Sequence, residues 1–237
     1  MVKYRIRSFD QNCYQLIPSR FPTVEVYERL CDVELQHAAK ALEARTNPRL
    51  IALQRASSVP KSSGKPSGKY QNWNHAPFAY KPPDGTFFLD ETHGCLELAS
   101  DLDTALAYAI RRREEFLSST DEPAMGLDMR VLSRRIAGSF HDLTMVDPSL
   151  SKKERRDIGH QLLESGSPGI LFCRPGFGER QFLGVFDGEL LPNAVQGAHY
   201  RFVWDGQKIK SIYDFSDGKE ILRTSLLGRD IGRDAAE

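Results

Sequence analysis

Apolar residues recur at helical spacing in two segments of the chain. Between residues 101 and 119 they fall on one face of a helix, while arginine and glutamate occupy the rest. This face consists of Leu102, Ala105, Leu106, Ala109, Ile110 and Phe116. Further along, Ser151 and Glu154 match a capping box, and Gly166 marks where that second helix is expected to end. Both segments are predicted to be amphipathic helices packed on a core.

A third helical stripe lies nearer the N-terminus. Residues 32–45 place Leu35, Ala38, Ala39 and Leu42 on one side, and Asn47-Pro48 is expected to end the helix.

Short apolar runs typical of strands separate and follow these helices. They span residues 13–17, 127–132, 136–143, 169–173, 182–186, 200–204 and 208–213. The last two flank Asp205-Gly206, a two-residue hairpin signal. Because strands cluster without regular helical crossovers, the order of elements predicts an α+β fold with a mainly antiparallel sheet.

Composition narrows the class of protein without identifying a partner. The chain has 237 residues, 40% of them hydrophobic, with 32 basic and 32 acidic residues, so its net charge is zero. Such a chain can bury a core of its own, and its charge argues against bulk attraction to nucleic acid or to a membrane. Its four cysteines lie far apart, and no apolar run has the length of a signal peptide or a membrane span. We expect a cytoplasmic protein with reduced thiols.

One segment has the composition of a linker. Residues 57–69, SSVPKSSGKPSGK, contain serine, proline, glycine and three lysines but no acidic residue. The lysines could contact phosphate, and a nucleic-acid binder is the function class that would use them, but a solvated loop is the favoured interpretation. The predicted organisation is an N-terminal strand and helical portion at 1–56, this linker, a core at 70–223 and a polar tail at 224–237.

General catalytic motifs are absent from the sequence. It contains no GxSxG, HExxH or phosphate-binding loop, and its histidines show no i, i+4 pairing, so no metal site is predicted. The loop from Arg174 to Arg180, RPGFGER, has glycines and two arginines that could hold an anion, yet a hairpin connection explains the same residues.

The order of several segments resembles the RES-domain family, the NAD-degrading toxins of bacterial toxin-antitoxin pairs. The similar stretches include APFAYKPPDGTFF at 76–88, LASDLDTALAYAIRRREEFL at 98–117 and GHQLLESGSPGILF at 159–172. Others are IPSRFPTVEVYERL at 17–30, TNPR at 46–49, LDMRVL at 127–132 and QGAHYRFVWDGQKI at 196–209. The resemblance implies a single compact domain similar to ADP-ribosyltransferases, with an NAD pocket between sheet and helix. It also implies NAD cleavage by hydrolysis or phosphorolysis and neutralisation by an Xre-type antitoxin.

The family's catalytic residues are replaced in this chain. Matching the segments puts Phe87 where the family has an arginine and Glu97 where it has a tyrosine. Tyr108 stands in place of the helix glutamate, and Arg174 in place of the serine. A neutral phenol cannot stabilise an oxocarbenium-like transition state as a carboxylate does, and a phenylalanine cannot bind phosphate through charge. No catalytic residue of the family pattern is retained, which indicates a pseudoenzyme, impaired or repurposed to bind a nucleotide-like ligand or a protein partner.

A second interpretation starts from the same four positions. The carboxylate, phenol and guanidinium reappear at exchanged places, so a shared cavity would still offer an anion-binding arginine and a carboxylate. The candidate pocket is Arg20, Phe87, Glu97, Tyr108 and Arg174. Such a pocket predicts a protein that binds a nucleotide-like or other phosphate-bearing ligand. The alternative is an active NAD glycohydrolase, phosphorylase or ADP-ribosyltransferase. The opposing interpretation is that Glu97 and Arg174 are drifted residues that pair with each other or with water.

Residues near these positions receive weaker predictions. Asn74 and His75 are placed in a loop near the pocket entrance, and the arginines at 111–113 are expected to form the wet face of their helix, balanced by Glu114 and Glu115.

Overall fold

The computed structural model describes residues 4–19, 72–79, 81–147 and 149–228. The strands are β1 (Arg5–Pro18), β2 (Leu96–Ala99), β3 (Met125–Asp142), β4 (Gly169–Cys173), β5 (Gln181–Val185), β6 (Val195–Trp204), β7 (Ile209–Asp214) and β8 (Lys219–Leu222). The α-helices are α1 (Asn72–Ala79), α2 (Leu102–Leu117), α3 (Lys152–Glu164) and α4 (Arg223–Leu227). Arg20, the predicted helix at 32–45 and the predicted linker at 57–69 lie outside the described residues.

The eight strands of the described residues belong to one sheet in the order β1-β2-β5-β4-β3-β6-β7-β8. Of the strand pairs in the described ranges, β3 and β4 are parallel, and α3 lies in the connection between them. The others are antiparallel. The prediction of a single α+β domain with a mainly antiparallel sheet and flanking helices is confirmed.

An additional pairing between β1 and β3 closes five of the strands into a ring. β1 runs antiparallel to β3 from Arg5 opposite Asp142 to Pro18 opposite Met129. Alternate side chains of β1, β2, β3, β4 and β5 therefore point into the ring. They form one buried cluster of Phe9, Cys13, Leu96, Leu98, Ile136, Phe140, Leu171, Leu183 and Val185. The opposite faces of these strands remain available to the helices and to a cavity.

The two strands predicted at 127–132 and 136–143 are one continuous strand, β3. The polar residues between them keep their pairing with β1, with Arg134 opposite Cys13. Arg134 is buried and donates a hydrogen bond from Nε to Asn74 Oδ1 at 2.6 Å, while Asn74 donates to the carbonyl of Pro192. Asn74 is thus buried in helix α1 and links it to the sheet, which corrects the loop position predicted for Asn74 and His75.

Helix α2 forms as predicted but its buried stripe differs at the C-terminal end. Asp101 caps it, with its side chain accepting a hydrogen bond from Thr104 N. Phe116 is 58% exposed, whereas Leu117 is only 1% exposed. Leu117 lies seven residues after Ile110, two helical turns along the same face, so it and not Phe116 completes the stripe.

The structure differs from two predictions for the C-terminal part of the chain. Residues 205–208 between β6 and β7 form a four-residue loop rather than the two-residue turn predicted at Asp205-Gly206. The segment expected to begin the polar tail is instead helix α4, whose Leu226 is buried in the core. In the described ranges, no helix is both long enough and apolar enough to cross a membrane.

The predicted capping box at the start of α3 is present. Ser151 accepts a hydrogen bond from Glu154 N, and the Glu154 side chain accepts one from Ser151 N. Replacing Ser151 with Ala should lower the free energy of unfolding by about 1 kcal/mol, because an orphan N–H of the first turn loses its partner. Urea unfolding of both proteins measures this difference, and an unchanged midpoint would contradict the role given to Ser151.

Candidate functional site

Four of the five predicted pocket residues line one cavity. Phe87, Glu97, Tyr108 and Arg174 all border a cleft of about 660 Å³ beside the ring of strands. The fifth, Arg20, lies outside the described residues. The hypothesis of a shared pocket requires that these side chains face a common space. The four described residues meet this condition.

The local structure explains why these side chains converge. Leu96 and Leu98 of β2 point into the ring, so strand alternation directs Glu97 to the opposite face. Arg174 follows the last residue of β4, and Tyr108 is on the face of α2 that contacts this side of the sheet. Phe87 comes from the irregular segment 81–95 between α1 and β2. The cavity is therefore formed between one sheet face, α2 and this segment.

Glu97 and Arg174 form a partly buried ion pair in the cavity. Arg174 Nη2 donates to Glu97 Oε2 at 2.5 Å, and the side chains are 13% and 14% exposed, respectively. The other carboxylate oxygen, Oε1, accepts a hydrogen bond from Phe87 N at 2.9 Å. Both oxygens of the carboxylate thus have donors within the protein. The two charges share the cavity and also neutralise one another.

Aromatic rings surround the guanidinium of Arg174. Its Cζ lies 4.5 Å from the ring centroid of Phe87 and 4.7 Å from that of Tyr108. The rings of Phe172 and Phe182 are each 5.4 Å away. Such contacts between a cation and ring faces are attractive, especially where water is excluded. The buried Nε of Arg174 nevertheless has no hydrogen-bond partner among the described residues.

Two neutral acids border the ion pair. Burial raises the pKa of Tyr108, and the nearby charge of Glu97 adds to the increase. Burial likewise raises the pKa of the Cys95 thiol well above its usual value, and Glu97 again adds to it. At neutral pH the phenol and the thiol are therefore both protonated, so Tyr108 supplies no negative charge and Cys95 no thiolate nucleophile.

Positive charge exceeds negative charge around the cavity. Among the described lining residues six are basic and three are acidic. The basic ones are Arg111, Arg112, Arg113, Lys152, Arg155 and Arg174, and the acidic ones are Asp84, Glu97 and Glu115. A chain with zero net charge thus concentrates cations at one cleft.

The arginines at 111–113 are more than the wet face of a helix. Arg111 donates to the carbonyl oxygen of Gly176 at 2.8 Å and lies over the ring of Phe177. Arg112 is exposed at the cavity. Glu114 does not balance them, because it pairs with Arg223 at 2.8 Å and accepts a hydrogen bond from Ile209 N. The loop at 174–180 connects β4 to β5, as the hairpin interpretation proposed.

Sequence reasoning missed two groups of residues near the cavity. Arg155 of α3 lies 4.2 Å from the ring centroid of Phe87, on which Arg174 also packs, and donates to the carbonyl of Phe87. Asp90, His93 and His160 form a cluster just outside the cavity. No pattern in the sequence indicated either group, because each brings α3 against segment 81–95, about seventy residues away.

Comparisons with known proteins show the family to which this chain belongs. The family model described as "RES domain" matches residues 65–205. An uncharacterized protein y4oC of Sinorhizobium fredii is 40% identical over 215 residues, which cover 91% of this chain and 92% of that protein. The crystal structure of the M. tuberculosis MbcT-MbcA toxin-antitoxin complex is similar over 81% of this chain and 86% of that chain, with a TM-score of 0.42 and 12% identity. The family match extends over more than half of the chain, and on that basis the chain belongs to the RES-domain family.

Proposed function

We propose that the cavity binds an NAD-like, phosphate-bearing nucleotide and that the cleavage chemistry of the family is impaired in this chain. The observation that carries the proposal is the cavity itself, where an excess of cations surrounds an aromatic wall and an internally neutralised carboxylate. NAD is the ligand that membership of the family suggests.

The binding half of the proposal follows from charge and shape. Arg112 and Lys152 are exposed at the cavity and would reach phosphate oxygens through charge-assisted hydrogen bonds. Lys152 is also the first residue of α3, and the N-terminus of a helix carries partial positive charge. Phe87 and Phe177 line the same cavity, and although arginines already lie over both rings, their accessible edges add apolar surface for a base or nicotinamide. A volume of about 660 Å³ is in the range of small-molecule sites.

The impairment half follows from the partners of Glu97. Breaking a nicotinamide-ribose bond develops positive charge on the sugar, which a nearby carboxylate stabilises. The negative charge of Glu97 is already compensated by Arg174 and by Phe87 N. Tyr108, at the position of the family's glutamate, is a neutral phenol. The cavity therefore retains groups that hold a nucleotide, but Glu97, its part-buried carboxylate, is already paired and is not free to stabilise the charge that the reaction develops.

Calorimetric titration of NAD into the full chain tests the binding half. We expect saturable binding that weakens about 10-fold or more in the double variant Arg112→Ala/Lys152→Ala, because each charge-assisted hydrogen bond contributes about 1.5–3 kcal/mol. Arg135→Ala is the matched control, since Arg135 is an exposed arginine paired with Asp10 away from the cavity. Equal loss of affinity in the control and the double variant, or no binding by the unaltered protein, would overturn the proposal.

An active NAD-degrading enzyme or ADP-ribosyltransferase is the alternative, and the presence of Glu97 in the cavity favours it. Rearrangement of the ion pair on binding would release this carboxylate. Incubation with NAD, with and without phosphate, would then yield nicotinamide, and Glu97→Gln would abolish the release. That result would mean that cleavage is not impaired and that the chain has an active site with altered catalytic residues.

An antitoxin partner of the Xre type stays a prediction from family membership. If such an antitoxin neutralises this chain, expression of the chain in bacteria without the antitoxin should arrest growth. Unimpeded growth fits the impaired protein and argues against an active toxin.

A further inference from the structure

Asp90, His93 and His160 bring three potential metal ligands together beside the cavity wall. His160 Nε2 lies 3.0 Å from Asp90 Oδ2, and His93 Nδ1 lies 3.2 Å from Asp90 Oδ1. One ligand atom from each residue can be chosen so that all three lie within 4.8 Å of one another. The two imidazole rings meet edge to face, with centroids 4.9 Å apart. All three side chains are partly exposed, so an ion can reach them from solvent.

The carboxylate of the cluster is held in place by its neighbour. Thr92 donates hydrogen bonds to Asp90 Oδ1 from its backbone N at 2.9 Å and from its hydroxyl at 2.5 Å. Such fixing of a ligand by a second residue is typical of metal sites.

We propose that Asp90, His93 and His160 bind a Zn²⁺ ion, with water as the fourth ligand. Two imidazoles and one carboxylate are a donor set that zinc accepts in tetrahedral sites with an open position. With metal-ligand bonds of about 2.0–2.1 Å, neighbouring ligand atoms of a tetrahedral site lie about 3.3 Å apart. The contacts of 3.0 and 3.2 Å are to different oxygens of Asp90, and with one oxygen from Asp90 the three ligand atoms lie within 4.8 Å of one another. Side-chain rotations that bring these ligand atoms closer together would complete the site.

The ion would join two elements that form the cavity. Asp90 and His93 belong to segment 81–95, which carries Phe87, whereas His160 belongs to α3, which carries Arg155. The neighbouring residue, Gly159, already lies against the carbonyl of Phe88. The three ligands are not among the residues that line the cavity, so the ion is a structural clamp behind its wall. This departs from the prediction of no metal site, which rested on spacing within the sequence.

Zinc titration of the tag-free full chain against a chromophoric chelator tests the site. We expect the unaltered protein to bind one equivalent of zinc per chain with high affinity. His160→Ala and Asp90→Asn should each lower this affinity by at least about 10-fold, because loss of residues that only hydrogen-bond to metal ligands already lowers affinity by about 10- to 100-fold. Cys173→Ser is the matched control, since Cys173 is a partly exposed thiol in the described chain and lies away from the cluster. Zinc should also raise the Tm of the unaltered protein, and EDTA should reverse the increase.

Two results would overturn the proposal. One is a zinc affinity that is the same in the unaltered protein, His160→Ala and Asp90→Asn, which would place the bound ion elsewhere. The other is the absence of stoichiometric binding. Circular dichroism checks that each variant folds, and His93→Ala replaces any variant that does not. Since these measurements contain no nucleotide, their outcome is independent of NAD binding.

Discussion

Replacing Gly159 with Ala is expected to destabilise the protein by about 3 kcal/mol, the upper end of the usual effect of overpacking a core. A Cβ at this position would lie 2.0 Å from the carbonyl oxygen of Phe88 and 2.8 Å from its carbonyl carbon. Both atoms belong to the backbone and cannot rotate away, so α3 would have to separate from segment 81–95. In an ordinary exposed helix position the same change stabilises by about 1 kcal/mol, so the predicted sign is reversed.

Urea unfolding followed by circular dichroism measures the effect of Gly159→Ala. Asp157→Ala, at an exposed position two residues earlier in the same helix, is the control and should change the free energy of unfolding little. The contact also forms the wall that carries Phe87, so a variant that still folds should bind NAD less tightly. Stability equal to or above that of the unaltered protein would show that α3 does not approach Phe88 this closely.

Removal of one member of the Glu97–Arg174 ion pair is the second change with a large expected effect. Glu97→Ala leaves the guanidinium of Arg174 among aromatic rings without its counter-ion, and should cost about 3 kcal/mol. Arg174→Ala leaves the carboxylate with only the hydrogen bond from Phe87 N and should cost a similar amount. The double replacement Glu97→Leu/Arg174→Met removes both charges and should restore most of the lost stability, since apolar groups of similar size often substitute for a buried pair.

A double-mutant cycle of Glu97→Ala, Arg174→Ala and the double variant Glu97→Ala/Arg174→Ala, measured on the free energy of unfolding, isolates this coupling. The exposed pair of Asp10 and Arg135 is the matched control, and its cycle should give little coupling because solvent screens both charges. Additive effects of the two single replacements at Glu97 and Arg174 would contradict the account, because they would mean that the pair contributes no more than an exposed one.

Local sequence signals predicted the elements that depend on nearby residues. The capping box of Ser151 and Glu154, the extent of α2 and the bounds of β4 follow from residues a few positions apart. The closed ring did not follow from the sequence, because β1 pairs with β3 more than a hundred residues away. The polar residues around Arg134 also concealed the continuity of β3, since a buried arginine bonded to Asn74 has no apolar signature.

Only part of the candidate site could be predicted from the sequence. The resemblance to the RES family identified Phe87, Glu97, Tyr108 and Arg174, and the fold brings all four to one cavity. Their partners could not be predicted, because the position of Arg155 over Phe87 is set by how α3 packs on segment 81–95. The cluster of Asp90, His93 and His160 depends on the same contact and has no i, i+4 spacing to reveal it.

We expect this cavity to bind an NAD-like nucleotide without cleaving it. One titration tests both binding and the absence of cleavage. NAD is titrated into the purified full chain in a calorimeter, and the sample is then assayed for free nicotinamide. We expect saturable binding to one site per chain, with the NAD recovered intact in the presence and absence of phosphate. Release of nicotinamide over repeated turnovers, or the absence of any binding, would contradict it.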